Sequence, residues 1–120
     1  MNTFSELYDH CIAKPGATED YPFGEGTLVF KVGGKMFALT GPESIPPTVN
    51  LKCDPERAIE LREQYDAVIP GYHQNKKHWN TVILDGSIPR KEIQAMIDDS
   101  YALVVASLPR KMREELAQEG

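Results

Sequence analysis

Cysteine is scarce in this chain: Cys11 and Cys53 are its only two, too few for a disulfide framework and without C-x-x-C spacing. No run approaches the roughly eighteen apolar residues that a membrane-spanning helix needs, so no membrane partner is expected. The opening MNTFSELYDHCIAK has no basic stretch followed by an apolar one, so it does not read as a secretory leader. A reduced, cytoplasmic protein is the expectation. G-x-S-x-G, the phosphate-binding P-loop and the dinucleotide glycine fingerprint are all missing, so nucleotide-dependent and serine-hydrolase chemistry find no motif to rest on. Positive charge is also short, with 13 Lys and Arg against 18 Asp and Glu and a net charge of -5. Such a molecule repels nucleic acid at long range, so any contact with DNA has to come from a local patch.

What is present reads as one globular domain. The 120 residues are 41% hydrophobic and 26% charged, ordinary values for a folded protein of this size. Thr3 and Glu6 form a capping box ahead of a helix whose apolar face is Phe4, Leu7, Tyr8, Cys11 and Ile12, and KPG at 14–16 stops it. The stretch TLVFKVGGKMFALT is two β-rich runs joined by Gly33-Gly34, the residues a tight hairpin turn demands. TVNLKC reads as a third strand, with Val49, Leu51 and Cys53 facing inward. Asp54-Pro55-Glu56 then opens a helix running to about Tyr65. AVIPG is a short strand or turn, WNTVILDG a strand ending in an Asp-Gly turn, and Ser87 and Pro89 open the longest helix. Ile93, Ile97, Tyr101, Val104 and Leu108 form its inner stripe. The expected order is α-β-β-β-α-β-β-α: a two-layer α+β domain over residues 1–109, an antiparallel sheet with helices packed on one face. Residues 110–120 are expected to be a charged, fraying tail.

The stretch IPGYHQNKKHWNTV, residues 69–82, stands out as a basic and aromatic island without an acid between residues 71 and 80. Lys76 and Lys77 can meet phosphates, with Asn75 and Asn80 adding hydrogen bonds, and Lys31 and Lys35 beside the Gly-Gly turn can extend the patch. The competing reading is a solvated turn. Trp79 can stack on a base or ligand, or be core. His78 suits a loop-fixing hydrogen bond, because imidazole both donates and accepts. His73 and His78 are five apart, not a metal-ligand spacing, and no metal or cofactor is expected. Cys11 reads as a buried, inert thiol, and Cys53, beside a helix start that can lower its pKa, as structural. Asp98-Asp99 reads as a solvated pair. With no activated nucleophile in sight, catalytic residues are not assigned and a non-enzymatic role is expected.

The segments TEDYPFGEGTLVFKVGGKMFAL, NLKCDPERA, PGYHQNKKHWNTV and SYALVVASLPRKMR, in this order, resemble the MmcQ/YjbR family of small bacterial proteins. The resemblance covers nearly the whole chain. It implies a secretion-chaperone-like domain and DNA binding through a double wing of two β-hairpins. Carried onto this sequence, the wings bring Lys31, Lys35, His73, Asn75, Lys76, Lys77, His78 and Trp79 to the DNA. Gln74 departs from the apolar methionine expected in relatives and makes the island more polar. The alternative is a protein- or small-anion-binding module that uses the same surface. A protruding island favours DNA, and a concave one favours a small ligand.

Overall fold

A computed structural model describes residues 1, 3–71 and 75–119. Thr3 caps α1 (Phe4–Ile12) by accepting the Glu6 N–H at 3.2 Å, and its hydroxyl donates to the Glu6 carboxylate at 3.0 Å. The box therefore closes through both side chains. Leu7 and Cys11 are buried, and Phe4, Tyr8 and Ile12 flank them against the core.

Six strands follow: β1 (Thr18–Asp20), β2 (Leu28–Val32), β3 (Lys35–Thr40), β4 (Thr48–Lys52), β5 (Val68–Pro70) and β6 (Trp79–Ile83). They form one sheet in the order β1-β2-β3-β4-β6-β5, with every neighbouring pair antiparallel. The helices α2 (Pro55–Gln64) and α3 (Arg90–Ala106) join α1 on one face, α3 lying across β2, β3 and β4 and α2 against β5. The expected α+β architecture and element order are found, with two additions. Thr18–Asp20, which reads as loop in the sequence, pairs with β2 as an edge strand. The tail is a helix, α4 (Arg110–Glu119), whose Leu116 packs on the core. Both escape sequence reading for the same reason. A three-residue, fully exposed strand has no apolar alternation to reveal it, and a highly charged helix has only a narrow apolar stripe.

The helical face buries Leu28, Phe30, Val32, Ala38, Val49, Leu51 and Val82 beneath Leu7, Ile93, Ile97 and Val104. Tyr8 meets Phe30 edge-on at 5.7 Å, and Phe37 meets Tyr101 at 5.3 Å. On the open face, turned away from α1, α2 and α3, a row runs across five strands through Val29, Leu39, Asn50, Thr81 and Ile69, of which all but Ile69 are buried. Asn50 and Thr81 are buried there and hydrogen-bond to each other, which leaves their polar groups satisfied across the strands.

A β-bulge sets the geometry of the sheet centre. Phe30 pairs with Ala38 but Lys31 pairs with Met36, so Phe37 is the extra residue. The β3–β4 ladder stops at Ala38↔Leu51, which leaves the Phe37 carbonyl and the Lys52 N–H without strand partners. Ser100, fully buried on α3, serves both. Its hydroxyl donates to the Phe37 carbonyl at 2.6 Å and accepts from the Lys52 N–H at 2.9 Å.

Replacing Ser100 with Ala strands two main-chain groups and is expected to cost about 1 to 3 kcal/mol in denaturant unfolding. An unchanged unfolding midpoint would mean that water replaces the hydroxyl without loss.

Candidate nucleic-acid interface

The strand directions decide where the two hairpin turns lie. β2 runs up to Gly33-Gly34, β3 returns, β4 runs up again to Lys52, and β6 starts opposite Lys52 at Trp79 and runs down. Gly71 and residues 75–78, between β5 and β6, therefore sit at the same end of the sheet as Gly33-Gly34. In the first turn both glycines take positive φ, +59° and +79°, as a tight hairpin requires. A Cβ on Gly33 would also lie 2.7 Å from the side chain of Leu108, so the start of α4 is held against this turn. At the second, a Cβ on Gly71 would lie 2.8 Å from the Trp79 Cβ, and the Gly71 N–H donates to the Trp79 carbonyl at 2.8 Å. Glycine lets the two chains close there.

Residues 75–78 form a compact turn built on Asn75. Its side-chain oxygen accepts the Lys77 N–H at 2.9 Å, and its carbonyl accepts the N–H groups of His78 and Trp79 at 3.1 and 2.9 Å. Lys76 and Lys77 are exposed on this turn. It is the main chain of His78 that ties the turn to the sheet, its carbonyl accepting the Cys53 N–H at 2.7 Å. His73, like Tyr72 and Gln74, falls outside the described residues.

Several expected side chains stand elsewhere than the sequence suggests. Asn80 is buried on the helical face, where its amide donates to the Ala58 carbonyl at 3.2 Å, so it cannot reach a phosphate. Trp79 is half-buried on the open face beside Lys52 and is not a core residue. Lys31 lies 3.6 Å from Asp20 of the edge strand, which offsets part of its charge. Lys35 reaches the carbonyl and hydroxyl of Ser107 at 3.4 and 3.3 Å, a cation at the negative end of α3. Lys52 belongs at this end too, and only the strand register reveals it. Arg110, Lys111 and Arg113 open α4 after Leu108 and Pro109 and add three more cations, of which Arg110 is paired with Glu114 at 3.0 Å. The loops at the opposite end carry Glu25, Glu43, Asp66 and Asp85. Asp54 and Glu56 at the start of α2 and Glu114 on α4 lie at the end with the hairpin turns too, but the cations there outnumber them, so an acidic molecule has one basic end.

The thiols are not activated. Burial pushes Cys11 up to about 12. Burial also raises Cys53, and Arg57 only partly opposes it, so the helix start beside Cys53 does not lower its pKa. Among the described residues no group of three or more His, Cys, Asp and Glu is placed to hold a metal ion, and no helix is long and apolar enough to cross a membrane.

One antiparallel sheet, with helices on one face and two glycine-bearing hairpins at one basic end, defines a small two-layer α+β domain. The family model YjbR matches residues 12–103 of it. The chain belongs to the YjbR family. YjbR of Escherichia coli K12 is 41% identical over 116 residues, covering 97% of this chain and 98% of that protein. YyaQ of Bacillus subtilis is 30% identical, covering 86% of this chain and 98% of that protein. The crystal structure of DR2400 from Deinococcus radiodurans superposes with a TM-score of 0.92 at 41% identity, covering 98% of this chain and 89% of that one.

A clamp between α1 and α3 replaces the solvated pair expected at Asp98-Asp99. Asp98 accepts from His10 Nε2 at 2.8 Å and from Lys14, whose ammonium also lies 5.8 Å from the Tyr101 ring centre. Partial burial pushes the Asp98 carboxyl upward, but the bonds from Lys14 and His10 outweigh it and hold it below the usual value of 3.8. A carboxyl depressed in the folded state stabilises the fold above its unfolded pKa, and that contribution is lost as pH falls through the lower folded value. Asp98 is 47% exposed, so solvent limits the clamp to under about 1 kcal/mol. The stability advantage over an Asp98→Asn variant should be full near pH 6 and shrink below about pH 4, read by urea unfolding. An advantage that stays constant through the acid range would show that the charge on Asp98 contributes nothing.

Proposed function

We propose that the basic end binds DNA through its phosphate backbone, the two hairpin turns acting as paired wings. The observation that carries this reading is the antiparallel register, which sets Gly33-Gly34 and the Lys76-Lys77 turn at the same end of the sheet. A duplex laid along that end meets Lys76 and Lys77 on one wing and Lys35 on the other. Lys52 lies beside the second wing, and the first turn of α4 follows Leu108, which packs on the first. The turn at 75–78 is exposed and self-supporting, which suits a wing and not the wall of a small-ligand pocket. The side chains offered are ammonium and guanidinium groups, which position a protein on phosphates without reading base edges. Binding is therefore weak, largely independent of sequence and sensitive to salt, because each neutralised phosphate releases condensed counterions.

Fluorescence anisotropy of a labelled duplex tests this. With three to four phosphate contacts, raising salt from about 50 to 200 mM should weaken binding about 40- to 150-fold. Lys76→Glu/Lys77→Glu should abolish binding while leaving the fold intact by circular dichroism, since both side chains are exposed. Absence of binding at low salt by the folded protein would overturn the proposal.

A further inference from the structure

Where β4 leaves the sheet, a crevice opens between α2 and α3. Its inner cell, about 10 Å3, is walled by Leu51, Leu61, Val82 and Met96, with Asn80 among them. Its outer part, about 300 Å3, is lined by Asp54 and Arg57 of the α2 start and by Ala102, Leu103 and Ala106 of α3. Cys53 and Asp99 border both parts.

Asn80 is the anomaly. It is 2% exposed, and its amide nitrogen is used on the Ala58 carbonyl, yet its side-chain oxygen has no partner. A buried acceptor in that state costs free energy until something donates to it. The inner cell has the volume of about one water molecule, so the donor there is a water or the tip of a ligand.

The rest of the crevice offers mainly acceptors as well. Asp99 forms no ion pair among the described residues. Asp54 sits at the N-cap of α2 with its carboxylate bonding none of the helix N–H groups, although the positive helix end takes up part of its charge. Two cations border the crevice: Lys52, whose side chain lies on the other face of the sheet with Trp79, borders the inner cell, and Arg57 borders the outer part, where it is engaged with Glu60 at 3.2 Å. Opposite the carboxylates, Ala102, Leu103 and Ala106 make an apolar wall, and Leu103 is 37% exposed, large for a leucine with no solvent-side role. Cys53 is a weak donor, its thiol held protonated by burial, so the crevice is suited to non-covalent binding.

The complement of acceptors facing an apolar wall is a cation with N–H donors on a short aliphatic stem. We propose that this crevice is a binding site for a small organic ammonium compound. The ammonium group sits at Asp99, supported by Asp54, and connects to the Asn80 oxygen through one water in the inner cell. The stem lies on Ala102, Leu103 and Ala106. This site meets the phosphate-contacting surface only at Lys52 and does not rest on the DNA reading.

Titration with n-butylammonium chloride, followed by proton–nitrogen NMR correlation spectra, tests it, with sodium butyrate as the anion of equal stem. Saturable shifts are expected at the Asn80 side-chain amide and at the backbone of Cys53, Asp99 and Leu103 with the ammonium compound alone. Asp99→Asn, a near-isosteric change at an exposed position, should weaken binding about tenfold or more, as loss of a close charge partner does. Leu103→Ser should weaken it by removing the apolar wall. Shifts with neither ion, equal shifts with both, or an affinity untouched by Asp99→Asn would each overturn the proposal.

Discussion

The hydroxyl of Ser100 stands where β3 and β4 part, and much of the molecule is arranged around that point. A bulge at Phe37 turns its carbonyl out of the ladder and leaves the Lys52 N–H unanswered on the neighbouring strand. Buried main-chain groups need partners, and here one side-chain hydroxyl, donating to one strand and accepting from the other, supplies both. The same two bonds fix the height of α3 against the sheet. With α3 so placed, Tyr101 meets Phe37 edge-on, Asp98 comes within reach of His10 and Lys14 on α1, and Ser107 comes within reach of Lys35. A helix that slid by one turn would lose all of these together.

The bulge also shapes the basic end. Because β3 and β4 stop pairing at Ala38 and Leu51, the end of β4 is held from the other side, by Trp79 of β6 and by the His78 carbonyl on the Cys53 N–H. Lys52 is thereby carried towards the second hairpin and away from the first. The cations of this end come from five separate segments, and no stretch of sequence holds more than three of them. A net charge of -5 hides this arrangement, since Glu25, Glu43, Asp66 and Asp85 lie in loops at the far end of the sheet, away from the exposed lysines of the hairpin turns. At separations beyond roughly 8 Å in physiological salt a surface charge is largely screened, so a partner at one end senses local charge far more than the total.

Much of the fold is legible from the residues because local rules and the core agree. The Gly33-Gly34 turn, the alternation of Val49 and Leu51 in β4, and the stripe of Ile93, Ile97 and Val104 each follow from a single periodicity or turn preference. The structure follows all three. What escaped was set by tertiary context. The edge strand at Thr18–Asp20 is exposed on every residue and exists only because β2 offers an unpaired side. Asp98 looks solvated beside Asp99, but one hundred degrees of helical rotation separate the two. One therefore faces α1, and the other faces the crevice. Lys52 carries no mark in the sequence that joins it to Lys76. Only the register of β4 against β6 does so.

The island at 69–82 illustrates the same division at the level of single residues. In sequence it reads as one site. In the sheet, successive side chains point to opposite faces, so Trp79 and Asn80 part company: Trp79 joins Lys52 on the open face, and Asn80 joins Leu51 beneath the helices. On β4 the alternation repeats, with Lys52 turned to the basic end and Cys53 to the crevice between α2 and α3. Two strand ends, each two residues long, therefore carry two different surfaces on one rigid frame. One surface is basic and open to solvent. The other is a crevice with a closed inner cell and a solvent-open outer part, and contains the one buried side-chain atom left without a partner among the described residues. Their opposite chemistry is a consequence of the pleat, which separates neighbouring residues more completely than distance along the chain can.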